Sequence, residues 1–405
     1  MLVVSCGVLQ SPAVSPISPM LQLRLPVLLC LALLCLPACV EPARSADAPS
    51  EPRKVDASSP DSTAKEEPRE SDEHAVLDAA LAPEGPRGEA SAFFDLPDAP
   101  LREAMTSQGI KRVERGRGGR SLGFKITLTD GTKAYFKAEQ TFSAANWFGE
   151  VAAYHLDRML GLGRVPCVVS REFLWAELVG AAGNDVRKSE VIVRDGKVRG
   201  AFVAWVAGEL TALKQEPGWE RWVRVKYWPS TSVTPFQRPA VWKKQLDLAR
   251  EQGDDWRTKE ERFRRRNLRP EPDRADRPSE LSDLIVFDYL TRNLDRWGGD
   301  NANVLVRGRS APLVFLDNGA GFEPGEPRPS LMEARLHAVQ RFRRSTIDAV
   351  RAFDMARYQE RLQSEPVQPV LSASQIDALA QRRQGLLDWV AEMQKVHGEA
   401  IWAWE

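Results

Sequence analysis

Cysteine is scarce where a folded body would need it. Of the five in this 405-residue chain, Cys6, Cys30, Cys35 and Cys39 lie before residue 40, leaving Cys167 alone. A disulfide within the body and a cysteine-ligated zinc site are both excluded. Histidine is sparse too: His74, His155, His337 and His397 are too scattered for a His-rich metal site. No hydrophobic run reaches the roughly 18–20 residues that a membrane-spanning helix needs. Charge of one sign is also lacking, because Lys+Arg and Asp+Glu balance at 56 each. The balance is a sum of unlike parts. Val40 to Pro100 holds 15 acidic and 6 basic residues, whereas Leu101 to the end holds 41 acidic and 49 basic. An acidic stretch thus precedes a mildly basic body whose excess is too small to argue for nucleic acid as a partner. With 43% apolar and 28% charged residues, the chain is neither collagenous nor wholly disordered. Its length suggests two or three domains.

The first 39 residues read as a targeting segment. Leu25 to Leu36 is LPVLLCLALLCL, flanked by Arg24, and fits the apolar core of a signal peptide. No Lys or Arg precedes Met20, which makes Met20 a candidate for the true start. Leu36-Pro37-Ala38-Cys39 resembles a lipobox, although Pro37 is unusual there. Lipidated Cys39 would anchor the protein to an envelope membrane. The alternative is ordinary cleavage after Ala38 or Ala48 and a secreted product. Residues 40–100 then read as an acidic, disordered tether, since Glu41 to Glu73 is rich in Pro, Ser, Ala, Asp and Glu with almost no large apolar side chains. Its reach would be on the order of 30–45 Å.

The body reads as an α+β fold in two lobes, 101–208 and 209–405. Ile110–Glu114, Gly123–Leu128 and Lys133–Ala138 alternate like strands, with the glycine-rich stretch Gly116-Arg117-Gly118-Gly119 between the first two. Tyr135 and Lys137 share one face of the third. Ala144 to Leu160 has helical spacing and ends at Gly161-Leu162-Gly163. Glu190–Arg194 and Lys197–Val206 are further strand-like runs, and Ala207-Gly208 reads as a pivot out of the sheet. An insertion at about 214–279 carries Trp219, Trp222, Trp228, Trp242 and Trp256 among many basic residues, with its densest run at Arg262-Phe263-Arg264-Arg265-Arg266. It reads either as a docking surface for an anionic partner or as a solvated helical face over packed tryptophans. Ser374 to Val396 is a helix, opened by a capping-box pattern at Ser374–Asp377.

The chemistry-bearing residues fall in two segments. Asn293-Leu294-Asp295-Arg296 is followed by Asn301-Ala302-Asn303-Val304-Leu305-Val306, and then by Leu313-Val314-Phe315-Leu316-Asp317-Asn318-Gly319. The apolar runs form a hairpin, which brings two carboxylates and an amide within roughly ten ångströms. Phosphoryl transfer from a nucleotide uses such a set: one Asp accepts the acceptor's hydroxyl proton, while Asn and the other Asp hold a divalent cation on the phosphates. Hard oxygen ligands suit Mg²⁺ or Mn²⁺. From the other lobe, Lys137 would reach the phosphates, Glu150 would orient Lys137 or share the metal, and the backbone at Gly118 and Gly119 would lie over the phosphates. Each feature also has a plain structural explanation. The glycines could form a hairpin loop, Lys137 could be a solvent-facing strand lysine, Asp295 could pair with Arg296, and Asp317-Asn318-Gly319 could be only a turn. Their order is more specific than any one of them.

Three segments carry a family resemblance. Glu150-Val-Ala-Ala-Tyr-His-Leu-Asp-Arg-Met-Leu-Gly-Leu-Gly-Arg-Val-Pro166 resembles the αC helix of the secreted Golgi casein kinase and four-jointed family. Phe287-Asp-Tyr-Leu-Thr-Arg-Asn-Leu-Asp-Arg296 and Phe315-Leu-Asp-Asn-Gly-Ala-Gly-Phe322 resemble its catalytic and metal-binding segments. Arg343-Arg344-Ser345-Thr346 and the closing helix also have counterparts there. The resemblance implies an atypical protein-kinase-like fold, with a small β-rich N-lobe carrying one αC-type helix and a larger, mainly helical C-lobe. It implies an ATP-dependent kinase that acts on Ser or Thr of exported proteins, with Mn²⁺ or Mg²⁺; the alternatives are a kinase of a glycan or small-molecule hydroxyl and a non-catalytic relative that binds nucleotide or a partner, against which the intact Asp295 and Asp317 argue. By position it implies Asp295 as the base, Asp317 as a metal ligand, and Lys137 and Glu150 at the phosphates and metal. Asn303 is assigned to the metal by its place before the hairpin strand, with Asn301 as its rival. Animal members carry disulfides, and a cysteine pair that precedes the Arg-Ser-Thr motif there is replaced here by Val339-Gln340, so the fold should hold by packing.

Overall fold

The alternating runs at the start of the body form an antiparallel sheet in the computed structural model, which describes residues 88–404 except 118, 143–144, 214–218, 227–234, 237–270, 298–302, 309 and 324–328. A short hairpin, β1 (Ala92–Phe93) and β2 (Leu96–Pro97), leads into helix α1 (Asp98–Ser107). Then come β3 (Ile110–Arg115), β4 (Gly123–Leu128), β5 (Lys133–Ala138), helix α2 (Trp147–Met159), β6 (Val168–Leu174), helix α3 (Trp175–Ala182) and β7 (Lys197–Ala204). The sheet order is β3-β4-β5-β7-β6. Even-numbered residues of β5 face the core, where Phe136 packs edge-on against Phe173 at 4.8 Å. Odd-numbered residues face the other way. Lys137 lies between Gly123 of β4 and Ala201 of β7, so no bulky cross-strand neighbour crowds it.

After Gly208, whose φ of 91° suits glycine, the chain enters a second lobe. There β8 (Leu210–Ala212), β9 (Leu305–Arg307) and β10 (Leu313–Val314) form a small antiparallel sheet in the order β8-β9-β10. The β9–β10 hairpin was expected. The lobe is otherwise helical: α4 (Arg277–Thr291), α5 (Pro329–His337), α6 (Arg344–Ala352), α7 (Met355–Gln363) and α8 (Ala373–His397). Strand β11 (Phe342–Arg343) pairs in parallel with the final strand β12 (Trp402–Trp404). Helix α4 is buried along almost its whole length, and Phe287 within it meets Phe315 at 5.4 Å. This is the two-lobed α+β arrangement expected. Among the described residues no helix is long and apolar enough to cross a membrane.

Several expectations need correction. Residues 88–100, assigned by composition to the tether, are folded. Phe93 is buried with Val206 and Val314, and Asp98 is buried at the start of α1. Two adjacent phenylalanines, Phe93 and Phe94, supply the large apolar side chains that are almost absent from the Glu41–Glu73 sequence. Glu190–Arg194 is not a strand. A short 3-10 turn occupies Val186–Glu190, and only isolated bridges form at Val191 and Arg194. Strand β6 takes the sheet edge instead. The capping box of α8 lies two residues earlier than expected: Ser372 accepts from the Gln375 N–H, and the Gln375 side chain accepts from the Ser372 N–H. Of the Trp-rich insertion, Trp219 and Trp222 are buried, and Trp219 stacks on Trp297 at 5.6 Å. Trp228, Trp242, Trp256 and the Arg262–Arg266 run lie outside the described residues.

Charged networks fasten α2 in place. Arg158 is buried and donates to Asp98 on α1, to neighbouring Asp157 and to the Val165 carbonyl. Farther along the chain, Glu365 receives His155 of α2 at 2.7 Å, Arg102 of α1 at 2.7 Å and the Ser170 N–H of β6 at 2.7 Å. Burial opposes ionisation of Glu365, but the His155 hydrogen bond and the Arg102 charge prevail and hold its carboxyl at about 2. Removing one member of a buried charge network costs about 3–5 kcal/mol, so Glu365→Ala should lower unfolding free energy by that order in a denaturant titration. Because the folded pKa is depressed, this stability is present above the unfolded value near 4.5 and is lost as pH falls towards 2. Glu365→Gln should therefore flatten the acid limb of the stability curve, and an unchanged limb would contradict the assignment.

Candidate active site

The helix α2, strand β5 and the segment after β10 meet at one lysine. Lys137 Nζ lies 2.5 Å from Glu150 Oε1 and 2.7 Å from Asp317 Oδ1. Glu150 is buried in the first turn of α2, and its Oε1 also accepts the backbone N–H of Asn318 at 2.9 Å. Burial works against the Lys137 charge, but Asp317 and Glu150 outweigh it and raise its pKa above that of an ordinary lysine. Lys137 in turn holds the Asp317 carboxyl below its usual range against the opposing effect of burial. Asp317 adopts a left-handed φ of 64°, sparsely populated by residues other than glycine. This local strain is fixed by the surrounding bonds.

Those bonds come from the Asn293–Arg296 segment. Asn293 is buried, donates from Nδ2 to the Asp317 carbonyl at 2.9 Å, and accepts the Asp295 N–H at 3.2 Å. One side chain thus spaces Asp295 from Asp317. Arg296 does not pair with Asp295. It is buried and donates to Asp288 at 3.1 Å, to Asn318 Oδ1 at 2.6 Å and to the Leu316 carbonyl. Asp295 is left exposed, with Asn303 Nδ2 donating to its Oδ2 at 3.1 Å. Asn303 is thereby joined to Asp295 rather than to Asp317, while Asn301 lies outside the described residues.

The glycine-rich turn lies at the same end of the sheet. Gly118 is outside the described residues. Gly119 has a φ of 74°, and its carbonyl accepts Arg187 at 3.0 Å. Arg187 also holds the Ser121 carbonyl and pairs with Asp185, so a segment distant in sequence braces the turn. At the base of the turn, Gln140 bonds both the N–H and the carbonyl of Leu122. Gly123 leaves room for the Tyr135 ring, which a Cβ there would meet at 2.5 Å. A cavity of about 20 Å³ lies beneath, lined by Ser121, Lys137, Gln140, Ala145, Asn146, Asp317 and Gly319.

An ammonium held by one carboxylate from each lobe, with an exposed carboxylate tied to the same turn through Asn293, is an arrangement for handling a phosphorylated ligand. Comparisons with known proteins place the chain in a family. Residues 98–400 match the model of the family described as Golgi casein kinase, C-terminal, Fam20. The chain belongs to that family. Its relatives include the human extracellular serine/threonine protein kinase FAM20C, 23% identical over 74% of this chain and 54% of the relative. The glycosaminoglycan xylosylkinase of Danio rerio is 24% identical over 74% of this chain and 76% of the relative. The structure of the Golgi casein kinase with Mn/ADP bound shares the fold, with a TM-score of 0.54 at 18% identity over 74% of this chain and 77% of that one.

Other family segments turn out to be fasteners. Arg343 pairs with Asp283 of α4 at 3.0 Å, and the Thr346 hydroxyl donates to the same carboxylate at 2.7 Å. Where the resemblance leads to a cysteine pair, Val339 is buried, and Gln340 accepts the N–H groups of Val225 and Lys226 at 3.2 Å each. Cys167 is buried and unpaired.

Close approach between α2 and the Asp317 turn needs Gly149. A Cβ there would stand 2.6 Å from the Asn318 carbonyl oxygen and 2.9 Å from that of Gly321. Alanine is the better helix former by about 1 kcal/mol, yet Gly149→Ala should destabilise the protein by about 1–3 kcal/mol, the usual cost of overpacking. A chemical denaturation midpoint at or above that of the wild type would contradict this contact.

Proposed function

We propose that this chain is an exported, metal-dependent kinase that transfers the ATP γ-phosphate to a Ser or Thr hydroxyl of a secreted or envelope protein. The observation that carries this reading is Lys137 clamped between Glu150 and Asp317, with Asp295 exposed and spaced from Asp317 by Asn293. The name of the human relative and the Mn/ADP in the matching Golgi casein kinase structure support a nucleotide and Mn²⁺. Export is supported by the apolar run before Cys39, whose lipidation would add an envelope anchor.

The residues fit a divalent cation held jointly with phosphates. Such a cation typically takes one or two protein carboxylates and completes its shell with phosphate oxygens and water. No cluster of three or more metal-ligating side chains occurs among the described residues. Asp317 and Glu150 supply two hard carboxylates, and Asp317 is half-exposed. When bound, the cation would neutralise charge on the transferring phosphoryl group. Lys137, kept cationic by its partners, binds phosphate oxygens. Glu150 holds Lys137 in place and, through the Asn318 N–H, fixes the turn that carries Asp317. Asp295 receives the acceptor's hydroxyl proton, and Asn303 and Asn293 set its orientation. The turn at Asp317 holds its carboxylate beside Lys137, 2.7 Å from the ammonium.

A glycan hydroxyl is the second reading for the acceptor, favoured by similarity to a glycosaminoglycan xylosylkinase. Transfer of radiolabelled phosphate from ATP to secreted proteins, compared with xylose-containing oligosaccharides, separates the two. In either case Asp295→Ala should cut transfer by about 10²–10⁴ while leaving ATP affinity within a few-fold. Robust transfer by Asp295→Ala would overturn the base assignment.

A further inference from the structure

The arrangement described so far leaves one buried donor unexplained. Asn146 immediately precedes α2, and its backbone N–H donates to the Gly319 carbonyl at 2.9 Å. Its side chain forms no cap on α2. Asparagine at this position usually caps with its side-chain oxygen, a contact that Asn146 does not make. Its Nδ2 is shielded from solvent and has no hydrogen-bond partner among the described residues. Buried polar groups are nearly always satisfied, and an orphan in a native site marks a missing partner. Asn146 lines the cavity that Lys137, Asp317 and Ser121 also line.

The size and chemistry of that cavity narrow the partner. About 20 Å³ admits roughly one water-sized group. That is the room a single oxygen needs. The lining includes Lys137 with its partner Asp317, as well as Ser121 and Gln140, and Nδ2 itself can only donate, so once a divalent cation offsets the carboxylates the site is set for an anionic oxygen. Such a set selects an acceptor oxygen bearing negative charge, as on a phosphoryl group.

We propose that Asn146 is a phosphate-binding residue whose Nδ2 donates to a phosphoryl oxygen of the nucleotide beside Lys137. The inference rests on the kinase reading and adds to it a donor from the residue preceding α2. It places the start of that helix, and not only Lys137 and Glu150, in contact with the donor substrate.

Asn146→Asp tests this directly. Aspartate matches asparagine in shape, and Asn146 does not cap α2, so a space-filling role would survive the change. A phosphate contact would not, because a donor becomes an anion. The dissociation constant for ATP with Mn²⁺ should be measured by titration calorimetry on the full chain, for the wild type, Asn146→Asp, Asn146→Ala and Lys137→Met. Losing a hydrogen bond to a charged group typically weakens binding by tenfold or more. Asn146→Asp should therefore bind ATP at least tenfold more weakly than the wild type. Asn146→Ala should lose a comparable factor. Wild-type affinity in Asn146→Asp, alongside loss of binding in Lys137→Met, would overturn the Asn146 assignment and leave the kinase reading standing. Folded wild-type protein that binds no ATP would overturn both.

Discussion

A single ammonium group ties the two lobes together. Lys137 comes from the sheet, Glu150 from the helix packed against it, and Asp317 from the turn after the hairpin of the second lobe. Partly buried charges are costly unless paired, so the lysine is retained only because both carboxylates reach it. Each carboxylate is fixed in turn. Gly149 lets α2 lie against the Asn318 and Gly321 carbonyls, and Glu150 takes the Asn318 N–H. Asn293 then sets Asp295 at a fixed distance from this centre. The candidate site is the place where the requirements of packing and of phosphate chemistry coincide.

Without disulfides, the body relies on buried ionic networks as well as apolar packing. Arg158 joins α2 to Asp98 on α1, Arg296 joins Asp288 to the Asp317 turn, and Glu365 joins three elements through one carboxylate. Burial lifts the Asp288 carboxyl to about 6 despite Arg296 beside it. Such networks add less net stability than hydrocarbon of equal volume, but they leave costly orphans when one member is misplaced. They therefore favour one relative placement of helix, sheet and turn, and phosphoryl transfer depends on that placement. Most of the His-Leu-Asp-Arg run of α2 works in this way: His155, Asp157 and Arg158 are fasteners, while only Glu150 of that helix reaches Lys137.

What could be read in the sequence was what short-range pattern determines. Strands β3, β4 and β5, helix α2, the β9–β10 hairpin and helix α8 follow from periodicity and turn residues. Lys137, Glu150 and Asp317 could be brought together because each sits at a recognisable point on its own element. The failures share a cause. Asn293, Asn146 and Glu365 gain their meaning from distant partners; Glu365 meets His155 from 210 positions away. Nothing local marks such a residue. Strand β6 was missed because Val168–Leu174 follows a proline and presents only a short alternation, and residues 88–100 were masked by the acidic composition around two phenylalanines. Asp295 with Arg296 looked like a candidate ion pair, but Arg296 is buried on the other side of the segment and frees the carboxylate.

The most direct test of the central claim is the melting temperature of the purified protein with ATP, with and without Mn²⁺, beside Asp317→Ala. A ligand present at 100 times its Kd adds about 2.7 kcal/mol of stability. A metal-dependent rise in the wild type that is lost in Asp317→Ala is the predicted result. A wild type that melts at one temperature with or without nucleotide and metal, or an Asp317→Ala variant that shifts as much as the wild type, would contradict the account.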